Sequence, residues 1–464
     1  MREMENIPRD NNKNSNILVD DDEVEKNKPI ENNTSHNEII PQDAILNVQI
    51  KENQYEQVNY LSQMFHKNFS INIIILLSLI VLIMLEFIYR RPLFTYSLTY
   101  EQNLQNSLTK NAFDFYKFIS FLGNRFLIDL GLLFVLCYYP LLKTITLCIG
   151  IIFVIYLHDV LKLLYGDPRP FWLNSILFKG SCETSYGNPS GHSLTSFFFF
   201  LSMSYYICML DTFKNNNMYR IIVYLIAIFL SGLVAFSRLA LGVHALDQVL
   251  YGSALGIWMF VIFAYVFKIY DMPLSYYLRF YKEKKYSSIF MLFLTILFII
   301  PIILYRSIDV DTDFKKYEMV MKKKCPGKAI IKYYSHCCMA ESLVILLLCG
   351  LYFGQYLFWY LIYKNNQSRN DNSYIISLEE SINHWNNYYK QITSSLGNLI
   401  KVIVLIFIIL LPGVFYFIIS YESSLKNIFI FKYGLPLFLI SFLAFGPCLY
   451  ALMNILKEKK GNFY

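Results

Sequence analysis

Three short segments carry charge where the surrounding chain is apolar. The first runs Lys162-Leu-Leu-Tyr-Gly-Asp-Pro-Arg169-Pro170, the second Gly187-Asn-Pro189-Ser190-Gly191-His192, and the third Ser237-Arg238-Leu-Ala-Leu-Gly-Val-His244-Ala-Leu-Asp247-Gln248. Together they offer one lysine, two arginines, two histidines and a Ser-Gly turn. Lysine and arginine bind phosphate oxygens by charge, and arginine does so with a fixed two-pronged fork. The amides of a Ser-Gly turn that opens a helix add further donors and the positive end of the helix dipole. This set suits a phosphoryl transition state, whose negative charge sits on equatorial oxygens. Two histidines can divide the roles of nucleophile and proton donor. No carboxylate cluster is available to hold Mg²⁺, so the side chains themselves are expected to supply the positive charge, with no metal and no cofactor.

The elements that must position these segments are membrane helices. The chain has 464 residues, 55% hydrophobic and 16% charged, too apolar for a soluble protein of this length. A bilayer core of roughly 30 Å takes about 20 apolar helical residues to cross. Ten candidate spans lie near 70–89, 126–142, 144–164, 193–210, 219–237, 247–268, 287–305, 341–363, 400–420 and 432–455. The block 111–123 is expected to lie along the interface as a short amphipathic helix. The polar tail 1–64, with its acidic run Asp20-Asp21-Asp22-Glu23, is expected to be disordered. It has no apolar stretch of a signal peptide. Two longer connections remain: 306–340, with Lys322-Lys323-Lys324, and 364–399, where Leu378, Ile382, Trp385 and Tyr389 stand at helical spacing.

Of nine cysteines, Cys137, Cys148, Cys208, Cys349 and Cys448 fall in apolar blocks as core residues, while Cys182, Cys325, Cys337 and Cys338 fall in connections. No CxxC pair exists, which argues against a zinc site. The net charge of +7 is spread over loops, and nothing resembles a nucleic-acid module. Whatever the orientation, the three segments share one face. With a cytosolic N-terminus that face is lumenal or extracellular. Basic residues at 269–286 and Lys457, Lys459 and Lys460 agree with this, and the basic 306–340 connection opposes it.

The three segments resemble the signature of the type-2 phosphatidic acid phosphatase and vanadium haloperoxidase superfamily, K-x6-R-P, P-S-G-H and S-R-x5-H-x3-D. Lys162, Arg169 and Pro170 complete the first motif. Pro189, Ser190, Gly191 and His192 complete the second, and Ser237, Arg238 and His244 match the third. The likeness covers roughly residues 70–268. It implies an all-α polytopic membrane protein with a six-helix phosphatase core over 65–268 and about four extra spans over 269–464. It also implies a covalent hydrolysis in which His244 attacks phosphorus and His192 protonates the leaving alcohol and then activates water. Lys162, Arg169, Ser190, Gly191 and Arg238 would hold the phosphoryl oxygens. One position departs: the family acid is Gln248 here, with Asp247 one residue earlier. At +3 and +4 from His244, either could orient the imidazole. Gln at that place, Arg169-Pro-Phe-Trp172 and Cys182-Glu183-Thr184 resemble the glucose-6-phosphatase branch.

His158 in the third span reads as a packed residue, Asp159 as a polar partner with a possible supporting role for Lys162, and the aromatic richness as lipid-facing surface and packing. Lys162 could snorkel to the interface, but its spacing to Arg169 favours the phosphate role. The leading expectation is a membrane phosphatase acting on a phosphomonoester of a lipid such as phosphatidic acid. A sugar phosphatase of the glucose-6-phosphatase kind is the second reading, and a polyprenyl or dolichyl pyrophosphate phosphatase the third. A polytopic lipid-binding or transport protein is the non-enzymatic alternative. The expected partners are a phosphorylated lipid or small phosphorylated substrate and membrane lipid, in the endoplasmic reticulum or plasma membrane.

Overall fold

The computed structural model describes residues 69–139, 141–173, 185–307, 341–369 and 426–443, with Leu177, Glu183, Tyr317, Cys338, Met339 and Gly446 as isolated positions. The described residues form helices and turns, with no strand among them. The chain is an all-α polytopic membrane protein. The expected tail 1–64, the span at 400–420, the helix at Leu378–Tyr389, the lysine run Lys322–Lys324, Lys457–Lys460, Cys182, Cys325, Cys337 and Cys448 lie outside the described residues.

The main helices are α1 (Phe69–Ser107), α2 (Lys110–Phe121), α3 (Arg125–Tyr138), α4 (Leu141–Tyr165), α5 (Gly191–Met209) and α6 (Asn217–Ala240). After them come α7 (Leu246–Val261), α8 (Leu274–Lys282), α9 (Lys284–Ser307), α10 (Ile345–Arg369) and α11 (Lys426–Leu443). Segments within α1, α4, α6, α7 and α9 are long and apolar enough to cross a membrane. Two of the expected spans differ in length. α1 continues 18 residues past Tyr89, because Glu101, Gln102, Leu104 and Gln105 are sound helix formers and nothing caps the helix earlier. α3 is only 14 residues long. Asn124 precedes its start, and Pro140 forces Tyr139 into extended backbone, which ends it.

Helices α3 to α7 pack around one apolar core in which Phe198, Leu194, Leu147, Val154 and Leu255 are buried, and Ile75, Leu79 and Leu82 of α1 lie against it. The indole of Trp258 donates to the Ile75 carbonyl at 3.0 Å, fixing α1 against α7. One face of α1 is polar. Glu86, Arg90, Ser97 and Glu101 recur at helical spacing, and Glu86, Ser97 and Glu101 are buried. A second apolar cluster joins residues flanking the motifs to the later chain: Phe171, Trp172, Tyr186, Leu241 and Val243 pack with Tyr305, Tyr317, Met339 and Leu343. The Trp172 and Tyr317 rings lie 5.4 Å apart. α4 also meets α9, where the Tyr156 hydroxyl donates to the Leu297 carbonyl at 2.6 Å. Spans beyond residue 268 therefore pack directly behind the chain segments that carry the motifs.

Candidate active site

Each motif sits where a helix begins or ends. α4 stops at Tyr165, because Gly166 takes a left-handed φ of 59° and Pro168 follows. Lys162 therefore occupies the last turn of α4, where the helix dipole favours a cation. Ser190 caps α5, so Gly191 is its first residue and His192 its second. α6 ends two residues after Arg238. Gly242, with φ 64°, turns the chain, and His244 emerges in the tight link before α7. The loops are tied to one another by backbone: Gly187 N–H donates to Asp167 O at 2.8 Å, and Ser190 N–H donates to Gln248 O at 2.9 Å.

Lys162, Arg169, Arg238 and His244 are all buried, with relative exposures of 2–3%. Four cationic or imidazole groups withdrawn from water demand either partners or a ligand. Ser185, which lies between the first two motifs, gathers two of them. Lys162 Nζ donates to its hydroxyl at 2.9 Å, and Arg169 donates to that hydroxyl at 3.0 Å and to its carbonyl at 2.7 Å. A further Arg169 nitrogen donates to Val243 O at 3.1 Å and lies 3.0 Å from Nε2 of His244. Arg238 donates through Nη1 to the Ser120 hydroxyl at 2.6 Å. Its Nε and Nη2, the two-pronged edge, have no hydrogen-bond partner among the described residues. Glu183 approaches that edge, 3.6 Å from Nη2.

The surroundings of His244 fix its tautomer. Nδ1 lies 2.9 Å from the Gly187 carbonyl and 3.2 Å from Gln248 Oε1, and both are acceptors. The ring proton therefore belongs on Nδ1, and the Nε2 lone pair faces the Arg169 guanidinium. Burial, then the positive charges of Arg169, Arg238 and Lys162, hold this imidazole well below its usual pKa. This favours the neutral ring, with the Nε2 lone pair free of a proton. Burial raises the Glu183 carboxyl, but Arg169, Arg238, His192 and Lys162 outweigh this and hold it well below the usual carboxylate range.

Gln248 makes three contacts at once. Its Oε1 faces His244 and also accepts the Ala245 N–H at 3.3 Å, and its Nε2 donates to the Pro168 carbonyl at 2.9 Å. Asp247 does not reach His244. Its carboxylate oxygens are buried with no hydrogen-bond partner among the described residues, on the side where Glu86 and Asp167 lie. His192 stands within electrostatic reach of Glu183, Arg238, Arg169 and Lys162. Its Nε2 lies 3.0 Å from Asn124 Oδ1, at the start of α3. Lys162, Arg169, His192, Arg238 and His244 thus converge on one cationic cage, with Gln248 against His244, while Asp247 stands apart. Asn124, Ser120 and Ser185 join it from outside the motifs. Sequence reading missed them because each is a lone polar residue in no pattern.

A cage with three cations, a helix N-terminus and a neutral imidazole aimed inward can bind a phosphoryl dianion and attack it. Residues 143–271 match the family model of the PAP2 superfamily. A stretch of 152 residues is 30% identical to dolichyldiphosphatase 1 of Dictyostelium discoideum, covering 32% of this chain and 64% of that protein. The chain thus spans somewhat under two thirds of that relative's length. No solved structure matches it. The match to the PAP2 superfamily model and the similarity to a dolichyldiphosphatase thus fall on the segment that carries the cage.

Proposed function

We propose that this protein is a membrane phosphatase that hydrolyses the phosphate or diphosphate of a lipid alcohol without a catalytic metal. The observation that carries the reading is the His244 imidazole, with two acceptors at Nδ1 and its Nε2 lone pair turned into the cationic cage. In the first step Nε2 of His244 attacks phosphorus and the bond from phosphorus to the leaving oxygen breaks. The leaving oxygen takes a proton from His192. In the second step His192 accepts a proton from water, and the water oxygen attacks phosphorus. The P–N bond breaks, which returns neutral His244 and inorganic phosphate. Lys162, Arg169, Arg238, the Ser190 hydroxyl and the Gly191 amide hold the three equatorial oxygens, while Gln248 and the Gly187 carbonyl orient His244.

The similarity to dolichyldiphosphatase 1 supports a polyprenyl diphosphate at least as well as phosphatidic acid, and it is compatible with an endoplasmic reticulum membrane. A sugar phosphatase of the glucose-6-phosphatase kind is the second reading, favoured by Gln248 standing against His244 where most of the family has an acid. Purified protein in detergent with EDTA is expected to release phosphate from one of four classes: polyprenyl diphosphates, phosphatidic acid, sphingoid phosphates or glucose 6-phosphate. His244→Ala should abolish release and the acid-labile phosphoenzyme, and vanadate should inhibit as a mimic of the five-coordinate state. A strict Mg²⁺ requirement, or a phosphoenzyme that survives His244→Ala, would sink this mechanism.

A further inference from the structure

A second cluster of metal-type ligands lies beneath the cage. His158 and Asp159 stand on α4, with Lys162 one turn further on, and they meet Glu341 from the chain beyond the family match. One ligand atom from each lies within 4.8 Å of the others. Asp159 is fully buried, and neither of its carboxylate oxygens is paired with a hydrogen-bond donor among the described residues. Nδ1 of His158 is 3.0 Å from Oδ1 of Asp159, yet that oxygen accepts no hydrogen bond. The ring nitrogen and the carboxylate are thus in contact but not aligned as a hydrogen bond. Nε2 of His158 has no hydrogen-bond partner among the described residues either. It faces Gly191, where an added Cβ would collide with it.

Two carboxylates brought this close repel unless a proton or a cation is shared between them. The Lys162 ammonium is near, but it donates to Ser185. One imidazole with two carboxylates is a donor set suited to Mn²⁺, Fe²⁺ or Zn²⁺. Asp159 is sealed in the core on α4 while Glu341 comes from the later chain, so an ion held between them would join the two.

We propose that His158, Asp159 and Glu341 bind one divalent transition-metal cation, which ties the C-terminal extension to α4 directly below Lys162. This cation is structural. It adds to the positive field behind the cage and gives the later chain a mechanical grip on the helix that presents Lys162. The proposal stands apart from the phosphatase reading, since none of its ligands is assigned a step in hydrolysis.

The test uses the full chain in detergent, stripped with EDTA and dialysed free of chelator, in a His244→Ala background so that catalysis plays no part. Titration with Mn²⁺, followed by the EPR signal of the free ion, should show one bound equivalent. The melting temperature should rise by about 3 °C at saturation. Glu341→Gln, and separately Asp159→Asn, should weaken Mn²⁺ binding at least about tenfold, with unchanged elution on gel filtration certifying the fold. No bound Mn²⁺, or binding that both variants retain, would overturn the proposal and leave a proton shared between the two acids. Loss of phosphate release in the parallel wild-type assay would count only against the phosphatase reading.

Discussion

Gln248 is the position at which the three motifs depart from the signature they resemble, and replacing it tests the logic of the site. The amide accepts from His244 Nδ1 at 3.2 Å, beside the Gly187 carbonyl at 2.9 Å. When His244 attacks phosphorus, the ring gains positive charge. A hydrogen bond to a charged group contributes about 1.5–3 kcal/mol, and the 3.2 Å separation puts this one at the lower end. Since 1.36 kcal/mol is tenfold in rate, Gln248→Leu should lower kcat about tenfold and leave KM nearly unchanged. The loss should fall far short of that from His244→Ala, because Gly187 O still holds the tautomer. The same change strands the Pro168 carbonyl and the Ala245 N–H, so stability should drop by about 1–3 kcal/mol. Gln248→Glu restores the acceptor and adds a negative charge near the ring. It should recover most of the lost kcat and move the acid limb of the pH profile upward. Steady-state phosphate release across pH, with thermal melts in parallel, reads all of these. The reasoning is refuted if the Leu variant keeps kcat within twofold, or if Glu is no better than Leu.

Three further outcomes follow from the geometry. Gly191→Ala should destabilise by about 1–3 kcal/mol through overpacking against the His158 ring, and adding His158→Ala should restore part of the melting temperature; a strictly additive cycle would show that the two do not touch. Glu183→Gln removes an acid paired with Arg238, so inorganic phosphate and vanadate should inhibit about three- to tenfold more tightly, an effect kept modest by the 35% exposure of the Glu183 side chain. Because the folded pKa of His244 lies well below its free value, the imidazole remains unprotonated as pH falls through 6.5. Acid inactivation from this group should therefore set in only below that point, and a kcat/KM profile already halved at pH 6.5 in a His192-independent manner would contradict it.

The fold class and the cage were legible in the sequence for different reasons. Apolar blocks long enough to span a bilayer announce membrane helices whatever their packing. The motifs announce the cage because each is a local run at a helix end, and local spacing survives folding. What the sequence hid depends on contacts across the chain. Ser185 gathers Lys162 and Arg169, yet a serine in a loop carries no signal. Asn124 reaches His192 from the start of a short helix, and Glu341 meets Asp159 from far along the chain. The ambiguity between Asp247 and Gln248 came from assuming that His244 lies on the same helix. α7 begins at Leu246, so helical spacing does not apply to His244, and it is the third helical residue, Gln248, that folds back toward it.

The length of α1 sets a height for the chemistry. Its first 20 or so residues, ending near Arg90, match the thickness of the hydrocarbon layer. Arg90 pairs with Asp167 at 3.3 Å, inside the first motif. Seven residues on, about 10 Å further along the axis, the Ser97 hydroxyl accepts the N–H of Leu246 at 2.8 Å, two residues from His244. One helix, with Pro92 inside it, therefore runs from the apolar stretch to the link that carries His244. If the proposed lipid phosphatase reading holds, this spacing along α1 sets how far beyond the apolar stretch the His244 link stands, and lengthening α1 by a turn before Ser97 should lower activity on a membrane-anchored phosphate more than on a soluble one.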